Sequence, residues 1–115
     1  MSNMIYKICP TPLWREAEMA GTFKGAGIDL QDGYIHFSTF SQCAETLALH
    51  FTAQTGLTLI EIDADRLIIK WESSRGGQLF PHLYDTLPLS AVTASWELAL
   101  DNDGTHILPN IDQNT

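Results

Sequence analysis

Basic residues are scarce in this chain. Lys and Arg number 6 against 14 Asp and Glu in 115 residues, a formal net charge of −8. With no basic stripe, the sequence argues against a protein that grips long nucleic acid through phosphate contacts. A site for one phosphate stays open, since that needs only one or two cations or a helix N-terminus. Long apolar runs are lacking as well. None approaches the roughly 20 residues of a membrane span, so no membrane partner is expected. The opening stretch MSNMIYKICP has no apolar segment followed by a cleavage site, so no secretory signal is expected and the expected location is cytoplasmic. Cysteine is limited to Cys9 and Cys43. Both fall in apolar segments and read as buried free thiols. There is no internal repeat, low-complexity segment or internal linker.

What is present suffices for one core: 44% of the residues are hydrophobic. MIYKIC alternates and reads as a first strand. In TPLWREAEMAG, Thr11 suits an N-cap, Pro12 the first helical position and Gly21 the C-terminal cap. Leu13, Trp14, Ala17 and Ala20 form that helix's apolar stripe. TFKGAGIDLQDG, rich in Gly and Asp, reads as loop. YIHFS reads as a strand, and Thr39 with Gln42 resembles a capping box. A second helix is expected from about Phe40 to Gln54, with Ala44, Leu47, Ala48 and Phe51 inward and Gly56 ending it. LTLIEID is apolar on both faces, as a central strand would be, and RLIIKWE offers another. From Ser73 to Pro88 no period survives, so SSRGGQLFPHLYDTLP reads as a long covering loop. AVTASWELAL is a strand with Val92, Ala94, Trp96 and Leu98 on one face. DNDG is a turn, THIL an edge strand, and residues 109–115 a flexible tail. The expected fold is a single α+β domain over residues 1–115, its core at about 4–100. Two main helices accompany mostly antiparallel strands.

Two clusters carry the functional signal. Alternation places Tyr34, His36 and Ser38 on one strand face, directly before a helix N-terminus that attracts anions. The stretch LFPHLY adds His82 and Tyr84, and Arg75 stands beside Gly76 and Gly77, where backbone can approach a phosphate. No metal site is expected, because no C-x-x-C or H-x-x-x-H spacing announces zinc. A Ser-His-Asp hydrolase lacks its G-x-S-x-G elbow. His36 also has a plainer reading as a hydrogen-bonded core histidine, and Ser38 as a turn or capping group.

The order IYKI, Trp14 in a first helix, DGYIHFST, LIEID and GGQLFPHLYDTLPLSAV resembles the bacterial family called domain of unknown function 952, from about Met4 to Trp96. That family resembles the ADP-ribosyltransferase fold. The segment from YIHFS to LIEIDAD is also similar to a stretch of the NAD-dependent RNA 2′-phosphotransferases. The resemblance implies a cleft between two sheet halves and a nucleotide or other small-molecule ligand such as NAD. It places His36 and Ser38 at the nicotinamide ribose, with Lys7 near a His or Arg of those families. His82, Tyr84 and Arg75 would stand opposite, under the Ser73–Tyr84 loop. His36 and His82 are the expected catalytic pair, with Lys7, Tyr34, Ser38, Arg75 and Tyr84 as ligand-binding residues. No residue matches the catalytic Glu of many ADP-ribosyltransferases. Three functions follow: a transferase acting on NAD or a related nucleotide, a ligand-binding module without catalysis, and a structural domain.

Overall fold

The computed structural model describes residues 3–111, with the exception of the Arg75 side chain. The chain opens with β1 (Met4–Pro10) and α1 (Thr11–Ala20). A short β2 (Thr22–Phe23) and the one-turn α2 (Ile28–Asp32) lead to β3 (Ile35–His36). Then come α3 (Phe40–His50), β4 (Leu57–Asp63), β5 (Lys70–Ser73), β6 (Leu79–Leu83), β7 (Leu87–Pro88), β8 (Val92–Leu100) and β9 (His106–Ile107). The fold is α+β, as expected, and every strand pair among the described residues is antiparallel. The two long helices are joined by a third, α2. It has one turn between glycines, too short to show a helical period, and so reads as loop from sequence.

Three sheets form: β1-β4-β8-β9, β3-β6-β5 and the pair β2-β7. The first separates two apolar clusters. On one face Ile5, Cys9, Ile60 and Ile62 pack with Trp14 and Ala17 of α1 and with Phe23, Ile35, Phe37 and Leu83. On the other, Tyr6, Ile8, Leu57 and Leu59 pack with Cys43 and Leu47 of α3. Strands β1 and β4 are thus buried on both sides, the reason LTLIEID carries no clean alternation. Burial raises the Cys9 thiol to about 11 and the Cys43 thiol to about 12, so both stay protonated and inert.

Local chemistry departs from expectation in instructive places. Thr11 is the first helical residue and not a cap; its hydroxyl bonds that of Thr58 at 2.8 Å. Gly21 closes α1 at φ 84° as expected, its N–H on the Ala17 carbonyl. Helix α3 ends at His50, well before Gly56, and its buried face is Cys43 and Leu47; Ala44 and Ala48 are exposed. The Thr39–Gln42 pairing is present, with Thr39 N–H donating to Gln42 Oε1 at 2.9 Å. The presumed loop is the largest correction. Residues 70–83 form the β5–β6 hairpin, and β6 is the central strand of its sheet. Pro81 within that strand is what hid it, because proline normally argues against a central position. Leu108 and, within the expected tail, Ile111 pack on the second cluster; residues 112–115 of that tail lie outside the described residues. No helix among the described residues is long and apolar enough to cross a membrane.

Trp14 is 1% exposed and packs edge-to-face on Phe23, while its Nε1 has no hydrogen-bond partner among the described residues. Trp14→Ala is expected to cost about 3–5 kcal/mol through the cavity it leaves. Trp14→Phe should cost clearly less, since it keeps an aromatic ring and removes the unsatisfied donor. Urea midpoints at constant slope measure both.

Candidate functional site

Sheet β3-β6-β5 has two unlike faces. Ile35 lies opposite Leu83 and both enter the core. His36 lies opposite His82, and His82 also faces Lys70 on β5. Side-chain alternation then puts Tyr34, His36, His82, Tyr84, Lys70 and Glu72 together on the other face. Ring geometry agrees. The Tyr34 ring centroid is 4.5 Å from that of His36, 4.4 Å from His82 and 4.8 Å from Tyr84. The two imidazoles meet edge-on at 5.3 Å. The structure therefore brings together four residues named from sequence: Tyr34, His36, His82 and Tyr84.

A gap opens beside them. Tyr6 and Ser38 exchange both backbone hydrogen bonds, at 2.7 and 2.8 Å, in an isolated bridge. On the other side of Ser38, β3 already belongs to β6, since Phe37 N–H donates to the Pro81 carbonyl at 3.0 Å. Past this single bridge β1 and β3 part. Backbone directions alternate along β1, so Ile8 N–H and C=O point, like those of Tyr6, away from β4 and into the gap. A cavity of about 600 Å³ fills it, with Lys7, Ile8, Asp29, His36, Ser38, Phe80 and His82 among its walls. Ser38 Oγ turns to the Thr46 hydroxyl at 3.2 Å.

Lys7 is the anomaly of β1. It lies on the core face between Ile5 and Cys9 and is only 7% exposed. Such a charge needs a partner, and α2 supplies Asp29, 2% exposed. Asp29 Oδ2 accepts from Lys7 Nζ at 2.7 Å and from Ala26 N–H at 3.0 Å. Its Oδ1 accepts the His36 N–H at 3.0 Å and lies 2.6 Å from His36 Nδ1. Lys7 Nζ also donates to the His36 carbonyl at 3.0 Å. Burial alone would raise the Asp29 pKa; the His36 and Lys7 contacts and the Ala26 N–H overcome it and hold it at about 2. Gly25, at φ 112°, permits this approach: a Cβ there would lie 2.8 Å from Asp29 Cβ.

The two histidines are held differently. His36 has a carboxylate on each ring nitrogen, Asp29 on Nδ1 and Asp32 on Nε2 at 2.9 Å. His82 Nδ1 faces Glu72 Oε1 at 2.8 Å. Its Nε2 has no hydrogen-bond partner among the described residues, and His82 lines the cavity. Tyr84 also donates to Glu72 Oε1, at 2.7 Å, which raises the phenol to about 12. The bonds from Tyr84 and His82 lower the Glu72 pKa in turn. Asp29, Asp32 and Glu72 were not singled out from sequence. The signal for the first two was their i, i+3 spacing just before YIH; nothing marked Glu72. Lys7 is committed to Asp29. Arg75 lies in the turn between β5 and β6; just past that turn, at the start of β6, the Leu79 carbonyl accepts from Gln42 Nε2 of α3 at 2.9 Å. Among the described residues no cluster of His, Cys, Asp and Glu could hold a metal ion.

Residues 8–95 match the family model described as Protein of unknown function (DUF952). The crystal structure of protein CC0527 from Caulobacter crescentus is similar at 44% identity and a TM-score of 0.87, covering 91% of this chain and 94% of that one. The solution NMR structure of CC0527 gives 45% identity and a TM-score of 0.80, covering 89% and 90%. No curated protein matches the chain. None of these matches is to an ADP-ribosyltransferase, so that expectation gains no support from them.

Asp29→Asn keeps the shape but leaves the Lys7 ammonium buried without a counter-charge, an expected cost of about 3–5 kcal/mol. The parent also carries a pH signature. Asp29 titrates below its ordinary 3.8, at about 2, so its contribution is complete above about pH 4 and is lost as pH falls towards about 2. Denaturation across that window should show this loss in the parent and not in Asp29→Asn. An unchanged slope would mean that Asp29 is not held this way.

Proposed function

We propose that this chain, which belongs to the DUF952 family, binds a ribose-bearing nucleotide of the NAD type in the cleft between β1 and β3 and acts on the bond joining its sugar to its ring nitrogen. The observation that carries the reading is His82. It is the buried imidazole with one nitrogen fixed by a carboxylate and the other available to a ligand in the cavity. That is the arrangement of a group that takes a proton at a set position, here from a water that bonds to the ribose carbon as the carbon–nitrogen bond breaks and the ring leaves neutral.

The surroundings support the same chemistry. Asp32 and Glu72 flank the Tyr34 phenol, whose pKa is raised by burial and by those two carboxylates. Carboxylates beside a ribose favour a reaction in which positive charge grows on the sugar. They disfavour phosphoryl transfer, which calls for clustered cations. Lys7, committed to Asp29, is not such a cation. The cavity lies within the roughly 300–1,000 Å³ of small-molecule sites. The outward N–H and C=O of Ile8 form a donor–acceptor pair that suits a carboxamide, and the Tyr34 ring, which lines the cavity while Tyr84 does not, suits a flat ring. A diphosphate would fall to the start of α3 and the neighbouring turn that carries Arg75. The chemistry such a nucleotide supplies is a labile bond between ribose and a cationic ring. His36 can reach a ribose hydroxyl only when Asp32, the exposed one of its two partners, releases Nε2.

The test is thermal denaturation with NAD, ADP-ribose or nicotinamide, followed by chromatography for released nicotinamide. A ligand at 100 times its dissociation constant adds about 2.7 kcal/mol to stability. The expected result is stabilisation by NAD and slow nicotinamide release that His82→Gln removes while NAD still stabilises the variant. Stabilisation without release identifies a binding module. If none of the three stabilises the protein, the reading fails.

A further inference from the structure

We propose that the outer edge of β5 is a self-association site, where a second copy of this chain pairs antiparallel about a two-fold axis through Trp71. The inference is independent of what the cleft binds. Strand β5 ends its sheet, with β6 on one side and no strand on the other among the described residues. The hydrogen-bonding direction of each residue follows from one bond. Phe37 N–H donates to the Pro81 carbonyl, so Pro81 faces β3. By alternation Phe80 and His82 face β5, and their register partners Glu72 and Lys70 direct their backbone groups at β6. Trp71, between them, therefore points both its N–H and its C=O outward.

The side chains around this free pair complement their own rotated image. With Trp71 opposite Trp71 of the second copy, the two residues exchange both backbone hydrogen bonds. Lys70 then stands opposite Glu72 of the copy, twice, in the closer of the two antiparallel pairings. Lys70 is exposed, with its ammonium 5.1 Å from the Tyr84 ring centroid. Glu72 uses only Oε1 towards His82 and Tyr84, so Oε2 remains for an incoming ammonium. On the opposite face Trp71, 45% exposed, meets the Trp71 side chain of the copy at the axis. The contact is isologous and closes at two copies. It would join the two β3-β6-β5 sheets into one six-stranded sheet and bring each Lys70 to the Glu72 that orients the other copy's His82.

Sedimentation equilibrium of the full chain over a wide concentration range tests this. The expected result is a reversible monomer–dimer equilibrium. Lys70→Glu alone, or Glu72→Lys alone, places two like-charge pairs across the axis and should weaken association about tenfold or more. The double variant Lys70→Glu with Glu72→Lys should restore it. Trp71→Pro removes the outward N–H at an edge position that tolerates proline, and should give a folded monomer by circular dichroism. A protein monomeric at every concentration overturns the proposal. So does a dimer indifferent to these changes, or a double variant that stays dissociated.

Discussion

The buried ion pair between Lys7 and Asp29 is the constraint around which the rest is arranged. Lys7 stands on the core side of β1, where its ammonium would be costly without a partner. Asp29 answers from a helix of one turn, and its two oxygens face four donors: Lys7 Nζ, Ala26 N–H, and the N–H and Nδ1 of His36. One carboxylate thus ties β1, α2 and β3 at a single point. It also fixes where β3 begins, and with it the register that sets His36 opposite His82. A pair of this kind adds little to net stability compared with apolar residues of the same shape. What it specifies is geometry: the imidazole of His36 has one orientation because its Nδ1 and its own backbone N–H share one acceptor oxygen.

Much of the scaffold could be read from the sequence, and the misreadings share a cause. The first helix with its Gly21 cap, the central character of LTLIEID and the long strand VTASWELAL rest on local patterns that tertiary contacts only reinforce. Tyr34 and His36 were visible as polar residues at strand spacing, and His82 and Tyr84 as costly residues in a stretch that read as loop; the fold brings all four rings together. Leu79–Leu83 was hidden because β6 is buried on both faces and contains Pro81, so neither alternation nor composition marks it. Asp29 was hidden for another reason. Its role exists only through a lysine 22 positions earlier, and a pairing at that separation leaves no local trace. Glu72 is the same case, named only by its contacts with His82 and Tyr84. Site partners were less legible than site centres because a centre repeats a local pattern, whereas a partner is defined by the fold.

The charge balance of the chain finds a partial explanation in the site. Six basic residues among 115 argue against a grip on long nucleic acid and leave room for at most a small anionic site. The fold takes one of them, Lys7, for internal use and surrounds the two histidines with three carboxylates. What distinguishes the two imidazoles is how many of their nitrogens those carboxylates occupy: both on His36, one on His82. The difference arises from α2 presenting Asp29 and Asp32 on one side, while β5 presents Glu72 alone.

The lone bridge between Tyr6 and Ser38 has a consequence for what the cleft can admit. Two strands joined at one point and free beyond it enclose a wedge, whose width is an angle and not a fixed distance. A thin planar group can advance close to the apex, whereas a thicker one is stopped further out. Rank by thickness is therefore built into the backbone before any side chain contributes. A rotation of a few degrees at the bridge displaces the outer walls far more than the inner ones. The wedge is narrowest at the apex, beside Ile8 and His36, and widest at the mouth.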